Sequence, residues 1–301
     1  MPYTADDVRS KLPTAAAATA ETFGDANYVK FYEHEPQQRD DGSETWYARA
    51  QNFVVEYTNV FSEASLRRVG EPEEYVVLIM DDGLSATVTA GDESVDVSGK
   101  TLVVVPPGDS LVEVKGSGRV ARLVRSTATD LADLAINASS YEEPHPNIPE
   151  FVPWPDPPAG FRIRAYDLNV PPLSNPPFRL FRCTTFMVNF IDAVQGPRDL
   201  HKLSPHSHED FEQVSLVIDG EYVHHLRWPW TPDRSTWRDD DHEFCASPHV
   251  AVIPAQSIHT SEAVSAGRNH LIDLFSPPRE DFSAMEGWVL NADDYPTPKG
   301  A

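Results

Sequence analysis

Residues 204–220 read SPHSHEDFEQVSLVIDG: two histidines one residue apart, a glutamate four residues later, and an apolar run that ends in glycine. In an extended chain alternate side chains share a face, so the even-numbered His206, His208 and Glu212 are expected on one side. Val214, Leu216 and Ile218 continue that face, as in a barrel interior, while Gln213 and Ser215 point the other way. Two imidazoles and a carboxylate form a mixed nitrogen and oxygen site suited to Fe(II), Mn(II), Ni(II), Cu(II) or Zn(II). Without an ion, a charged Glu212 in an apolar lining would be costly. A fourth ligand is available downstream, where His259 in VIPAQSIHTS follows a strand and a proline turn. The competing reading, histidines on a polar surface loop, suits any one of them better than all four residues in this order.

Short β-branched runs separated by Gly, Pro and Asp surround this stretch. WYARAQNFVVEYTNVF, EEYVVLIMDDG, LSATVTAG and KTLVVVPPG precede it, and HVAVIPAQ and NHLIDLFSP follow. Such spacing predicts an all-β sandwich or barrel. The exceptions are a short helix expected around TADDVRSKL near the N-terminus and another within STATDLADLAINA (126–138). Residues 143–177 are dense in proline, which removes backbone donors and predicts an extended surface connector. The expected organisation is an N-terminal domain over 1–142, the connector over 143–177, and a C-terminal domain over 178–301. The two halves resemble each other: EEYVVLIMDDG matches FEQVSLVIDG, and VVVPPGDSLVEV matches VAVIPAQSIHTS.

Composition narrows the function. Acidic residues number 47 against 24 basic ones, a formal charge of −23, which disfavours nucleic acid and anionic membrane surfaces as partners. Two cysteines far apart do not make a disulfide framework, and no run approaches the roughly 18 apolar residues of a membrane span. A cytoplasmic protein with a small-molecule substrate is the expectation, and a homodimer through leftover edge strands is plausible.

The pairing of HSHEDFEQVSLVIDG with PHVAVIPAQSIHTSEA resembles the two motifs of the cupin superfamily, G-x5-H-x-H-x3-4-E-x6-G and G-x5-P-x-G-x2-H-x3-N. The resemblance covers about residues 46–125 and 178–276. It implies a bicupin, two tandem jelly-roll (double-stranded β-helix) barrels, with His206, His208, Glu212 and His259 as ligands of one divalent metal, Fe(II) favoured. Several positions depart from the pattern: no glycine starts the first motif, Gln256 replaces the second Gly, and seven residues rather than six separate Glu212 from Gly220. Aligning Gly83 with Gly220 and Pro107 with Pro254 puts Val69, Glu71, Tyr75 and Val112 at the ligand positions. The first barrel is therefore expected to be degenerate and metal-free.

Beyond the ligands, the alternation of EYVHHLRWPW turns one of His224 and His225 inward, and His224 is the candidate to orient a ligand or serve as acid/base. The long loop over 229–248 is expected to be a lid or an interface, with Trp228 and Arg238 as candidate substrate contacts. The superfamily includes dioxygenases, decarboxylases, isomerases, lyases and non-enzymatic members. The aromatic loop favours an Fe(II) dioxygenase acting on an aromatic or keto compound. The alternatives are an isomerase, decarboxylase or lyase acting on a small acid or sugar, and a non-enzymatic small-molecule-binding bicupin.

Overall fold

The strands Tyr75–Ile79 (YVVLI), Thr101–Val105 (TLVVV) and His249–Ile253 (HVAVI) are buried at every position. An apolar run without alternation is a strand covered on both faces. The computed structural model, which describes residues 23–171, 178–209 and 211–298, shows what covers them. The expected helix near the N-terminus lies outside these residues. Among them, no helix is long and apolar enough to cross a membrane.

Two antiparallel barrels are each built from a large sheet and a small one. In the first, a seven-stranded sheet containing Tyr75–Ile79 and Thr101–Val105 faces a four-stranded sheet containing Leu84–Ala90 and Gly108–Gly116. In the second, a seven-stranded sheet containing Gln213–Asp219, His249–Ile253 and Arg268–Phe275 faces the three strands Asp241–Ala246, Glu221–Arg227 and Ile258–Ala263. The two large sheets pack against each other. Val55, Leu78, Leu102, Val104 and Leu123 of the first meet Val188, Val214, Leu216, Val250 and Leu274 of the second in one shared core. Arg119 ties the seam at one end, donating to Asp81 and to Asp219 at 2.7 Å each and to the Ile218 carbonyl at 2.7 Å.

The shared core corrects the phase expected for residues 213–219. Val214, Leu216 and Ile218 face the other barrel, and Gln213, Ser215 and Val217 face their own interior. The interiors then differ sharply. The first is filled by Val77, Val88, Val103, Val105, Val112 and Val114 with Tyr75. The second is hollow, with a cavity of about 470 Å³ lined by apolar, polar and charged side chains.

The domain limits also differ from the linear reading. Asn27–Lys30 pairs with His249–Ile253, so an N-terminal strand belongs to the second barrel's sheet. Arg164–Asp167 pairs with Thr101–Val105, so part of the proline-rich stretch belongs to the first. That stretch is not merely a surface connector: Ile148, Trp154 and Ile163 are buried, because prolines leave side chains able to pack even where backbone donors are missing. Residues 172–177 of it lie outside the described residues. The expected helix over 126–138 is a single α-helical turn, Thr129–Ala132, followed by a 3-10 turn at Ala138–Tyr141.

Leu216 is fully buried at the seam, so Leu216→Ala is expected to cost about 2–5 kcal/mol in equilibrium unfolding. Because the core is shared, wild-type and variant should each unfold in one transition. Two separated transitions in the wild type would contradict a shared core.

Candidate metal centre

His206 and His259 are locked together before any metal is considered. Their backbones form an isolated antiparallel bridge, with His206 N–H donating to His259 O at 3.0 Å and the reverse bond at 2.7 Å. Each ring is then clamped from behind: His206 Nδ1 donates to Ser204 O at 2.8 Å and His259 Nδ1 to Ser257 O at 3.0 Å. A carbonyl only accepts, so both rings carry the proton on Nδ1 and present Nε2 as a lone pair. His208 completes the group, and one ligand atom from each of the three rings lies within 4.8 Å of the others. The turn that delivers His259 contains Gln256 at φ 69°, a left-handed conformation usually left to glycine.

Gln213 is the fourth member of the group. Its Oε1 lies 2.9 Å from His208 Nε2 and 3.4 Å from His259 Nε2. The amide nitrogen donates to Ser215 Oγ and Asp273 Oδ1, both at 3.2 Å, while Ser215 donates to the same Asp273 oxygen at 2.9 Å. These acceptors fix the amide with its oxygen toward the histidines. Three imidazole nitrogens and an amide oxygen make a donor set that fits a divalent transition ion. Burial pushes His208 well below the usual imidazole range, helped by the positive Arg279 and the neighbouring rings. Burial also pushes His259 down to about 4. These two imidazoles are therefore neutral near physiological pH, the state in which they bind metals.

Glu212, expected as a ligand, is elsewhere. Its carboxylate accepts from Gln51 N–H at 2.6 Å and from the Tyr141 hydroxyl at 3.0 Å, with His145 Nδ1 3.3 Å away. All three groups come from outside the second barrel's sheets, and they satisfy the buried charge without an ion. The expectation failed because alternation does not persist from His208 to the strand. Residues 209–212 intervene, and the strand begins at Gln213. One signal was available: six residues separate Gln213 from Gly220, the motif spacing that Glu212 misses by one.

Arg279, Arg198, Asp273, Asp192 and Tyr222 also line the cavity, with Phe178, Ile191, Leu271 and Phe282 as its apolar wall. Arg279 is buried, donating to Asp281 from Nε and Nη2 and lying 3.5 Å over the Phe282 ring. Arg198 donates to Ser204 Oγ at 2.8 Å and Ser261 O at 2.9 Å, bracing the segment that carries His206. Their individual roles could not be read from sequence, since no motif marks them.

Trp228 and Arg238 do not reach the cavity. Trp228 is buried beside Leu226, Ile253, Phe23 and Tyr28, and Arg238 lies 4.4 Å over its ring and 2.7 Å from Asp25. The exchanged N-terminal segment occupies the place a substrate was expected to take. His224 points inward but lies behind the cavity wall, bonded to Ser261 and His249. In the first barrel, Val69 is exposed, Glu71 pairs with Arg68 at 2.7 Å, and Val112 is buried. Tyr75 holds the register of Gln213, each opposite the last residue of the adjoining strand, Val105 or Ile253. Its hydroxyl lies 2.9 Å from Ser110 Oγ.

Comparison with known proteins gives fold relatives only. No family model matches the chain, and no curated protein matches it. Solved structures do. Lactobacillus farciminis oxalate decarboxylase in a formate complex is 11% identical, with 88% of each chain covered and a TM-score of 0.56. Bacillus subtilis oxalate decarboxylase, described with Mn(II) centres, is 13% identical over 89% of this chain and 81% of that one, TM-score 0.53. The 11S allergen of Cocos nucifera is 11% identical over 89% and 94%, TM-score 0.55.

Gln213→Ala is expected to weaken metal binding by roughly tenfold or more, read by titration with Mn(II), Ni(II) or Zn(II). Glu212→Gln should keep the metal stoichiometry and lower the melting temperature; the opposite pattern would return Glu212 to the ligand set. The Glu212 carboxylate raises the His145 pKa against the lowering effect of burial. A raised folded pKa stabilises fully below the unfolded value, about 6.5, and fades as pH rises through the folded value. His145→Gln should therefore lower the melting temperature more at about pH 6 than at about pH 8.5.

Proposed function

We propose that this chain, a bicupin by fold, is a metal-dependent enzyme whose second barrel binds a small carboxylate-bearing substrate and carries out non-oxidative chemistry of the decarboxylase, lyase or isomerase type. His206, His208, His259 and Gln213 would hold the ion. The observation that carries the reading is Gln213 with its amide oxygen turned to the histidines. All four protein ligands are then neutral, and a bound divalent ion supplies Lewis-acid polarisation undiminished by a ligand carboxylate. The same neutrality disfavours a trivalent state, which moves the preference from the Fe(II) dioxygenase expected from sequence to its non-oxidative alternative. Ions that suit the donor set include Mn(II), Fe(II), Ni(II) and Zn(II).

The surrounding residues support an anionic substrate. In a chain of net charge −23, the cavity beside the histidines is lined by Arg279 and Arg198 as well as by Asp273 and Asp192, so its lining is less acidic than the chain as a whole. Arg279 is held rigid by Asp281 and Phe282, which suits it to orient a carboxylate. Asp273, anchored through Gln213 and Ser215, is the group placed to take or return a proton at its carboxylate. Burial raises the Tyr222 phenol, so it stays protonated and donates. Phe178, Leu271 and Phe282 keep water from one side of the cavity. The fold relationship to oxalate decarboxylases makes decarboxylation of a small acid the first reaction to test.

The test is a panel of mono- and dicarboxylates, keto acids and sugar acids, assayed with metal-loaded protein in air and under nitrogen. Turnover of an acid that is equal in both atmospheres is the expected result, with Arg279→Gln raising KM by roughly tenfold or more while the metal is retained. Oxygen consumption stoichiometric with turnover would replace this reading with a dioxygenase. Saturable binding without turnover across the panel would replace it with a small-molecule-binding protein.

A further inference from the structure

A second convergence of ligand atoms lies in the same barrel. His224 on Glu221–Arg227, Cys245 on Asp241–Ala246 and His249 on His249–Ile253 have zero solvent exposure, and one ligand atom from each lies within 4.8 Å of the others. The group spans both sheets of the barrel. His224 pairs across strands with Ser261, and His259 pairs with Leu226, so the two groups are offset by two residues of strand, about 6–7 Å. The exchanged N-terminal strand closes the outer side, with the Tyr28 ring 6.0 Å from that of His224.

The proton positions follow from the partners. His249 Nδ1 donates to Ala246 O at 2.8 Å, so His249 Nε2 is a lone pair. His224 Nε2, 2.7 Å away, must donate to it, and His224 Nδ1 accepts from the Ser261 hydroxyl at 2.9 Å. Ser261 is the adaptable member, because a hydroxyl accepts as readily as it donates. If it accepts from Nδ1, His224 presents Nε2 as a second lone pair facing the first. Two buried histidines alone would be an ordinary hydrogen-bonded pair. Cys245 Sγ adds a third, polarisable corner, with no hydrogen bond among the described residues to occupy it.

We propose that His224, Cys245 and His249 form a second metal site, for a thiophilic transition ion of the Zn(II) or copper type, beside the three-histidine site and chemically distinct from it. The first site offers nitrogen and oxygen only, whereas this one offers two imidazoles and a thiolate, a set that selects softer ions. Burial holds the Cys245 thiol up at about 12, so an ion must displace its proton. Binding forms one metal–sulfur and two metal–nitrogen bonds. The thiol proton leaves, and the His224 proton moves from Nε2 to Nδ1, so one proton is released per ion. The route in is the cavity, which Ser261 and Tyr222 line, each a direct neighbour of His224.

Co(II) titration of the full chain tests the site by absorption and stoichiometry. Two equivalents are expected, with a thiolate-to-Co(II) charge-transfer band in the near ultraviolet. Cys245→Ser should remove the band and one equivalent. His206→Ala should remove the other equivalent and keep the band, and Cys183→Ser should keep both. Zinc-edge X-ray absorption on wild-type protein, which needs no variant, should show a sulfur neighbour at about 2.3 Å. One equivalent that disappears in His206→Ala, no thiolate band, and only nitrogen and oxygen neighbours would overturn the proposal.

Discussion

The burial of one large sheet against the other governs the rest of the molecule. Val214, Leu216 and Ile218 must face the first barrel, because that seam is the apolar core the two halves share. Strand alternation then leaves Gln213, Ser215 and Val217 to their own interior. The identity of the fourth group beside the histidines, its neutrality, and its anchoring by Asp273 all descend from that packing requirement. A shift of one residue in the strand would bring Glu212 inward, but it would also take Val214, Leu216 and Ile218 out of the shared core and into the cavity.

The interiors of the two barrels differ along the same line. The first spends its interior on valines and on Tyr75, which occupies with a phenol ring the register where the second places an amide. The second leaves its interior open, lined by charged and apolar side chains, with Arg279 buried there in a strongly acidic chain. Arg279 and Arg198 line that cavity together with Asp273 and Asp192.

The sequence carried the fold well, because the His-x-His pair, the later Pro and His, and the glycine-bounded strands are local patterns. His206, His208 and His259 were legible for that reason. Glu212 was not, since the phase of a strand cannot be counted through an intervening turn without knowing where the ladder starts. Trp228 and Arg238 failed for a different cause: no local pattern reveals that residues 23–30 cross to the far barrel and cover that loop. The convergence of Cys245 and His249 on His224 depends on two sheets meeting, which is tertiary information throughout.

The reciprocal strand exchange limits how the chain can be divided. Asn27–Lys30 completes the second barrel's sheet and Arg164–Asp167 completes the first's, so neither barrel is encoded by a contiguous stretch of chain. The first half supplies an edge strand to the second barrel, part of the shared core and partners of Glu212, so the second barrel depends on it for its shape. Dividing the chain between residues 142 and 143 would therefore leave each large sheet short of one strand.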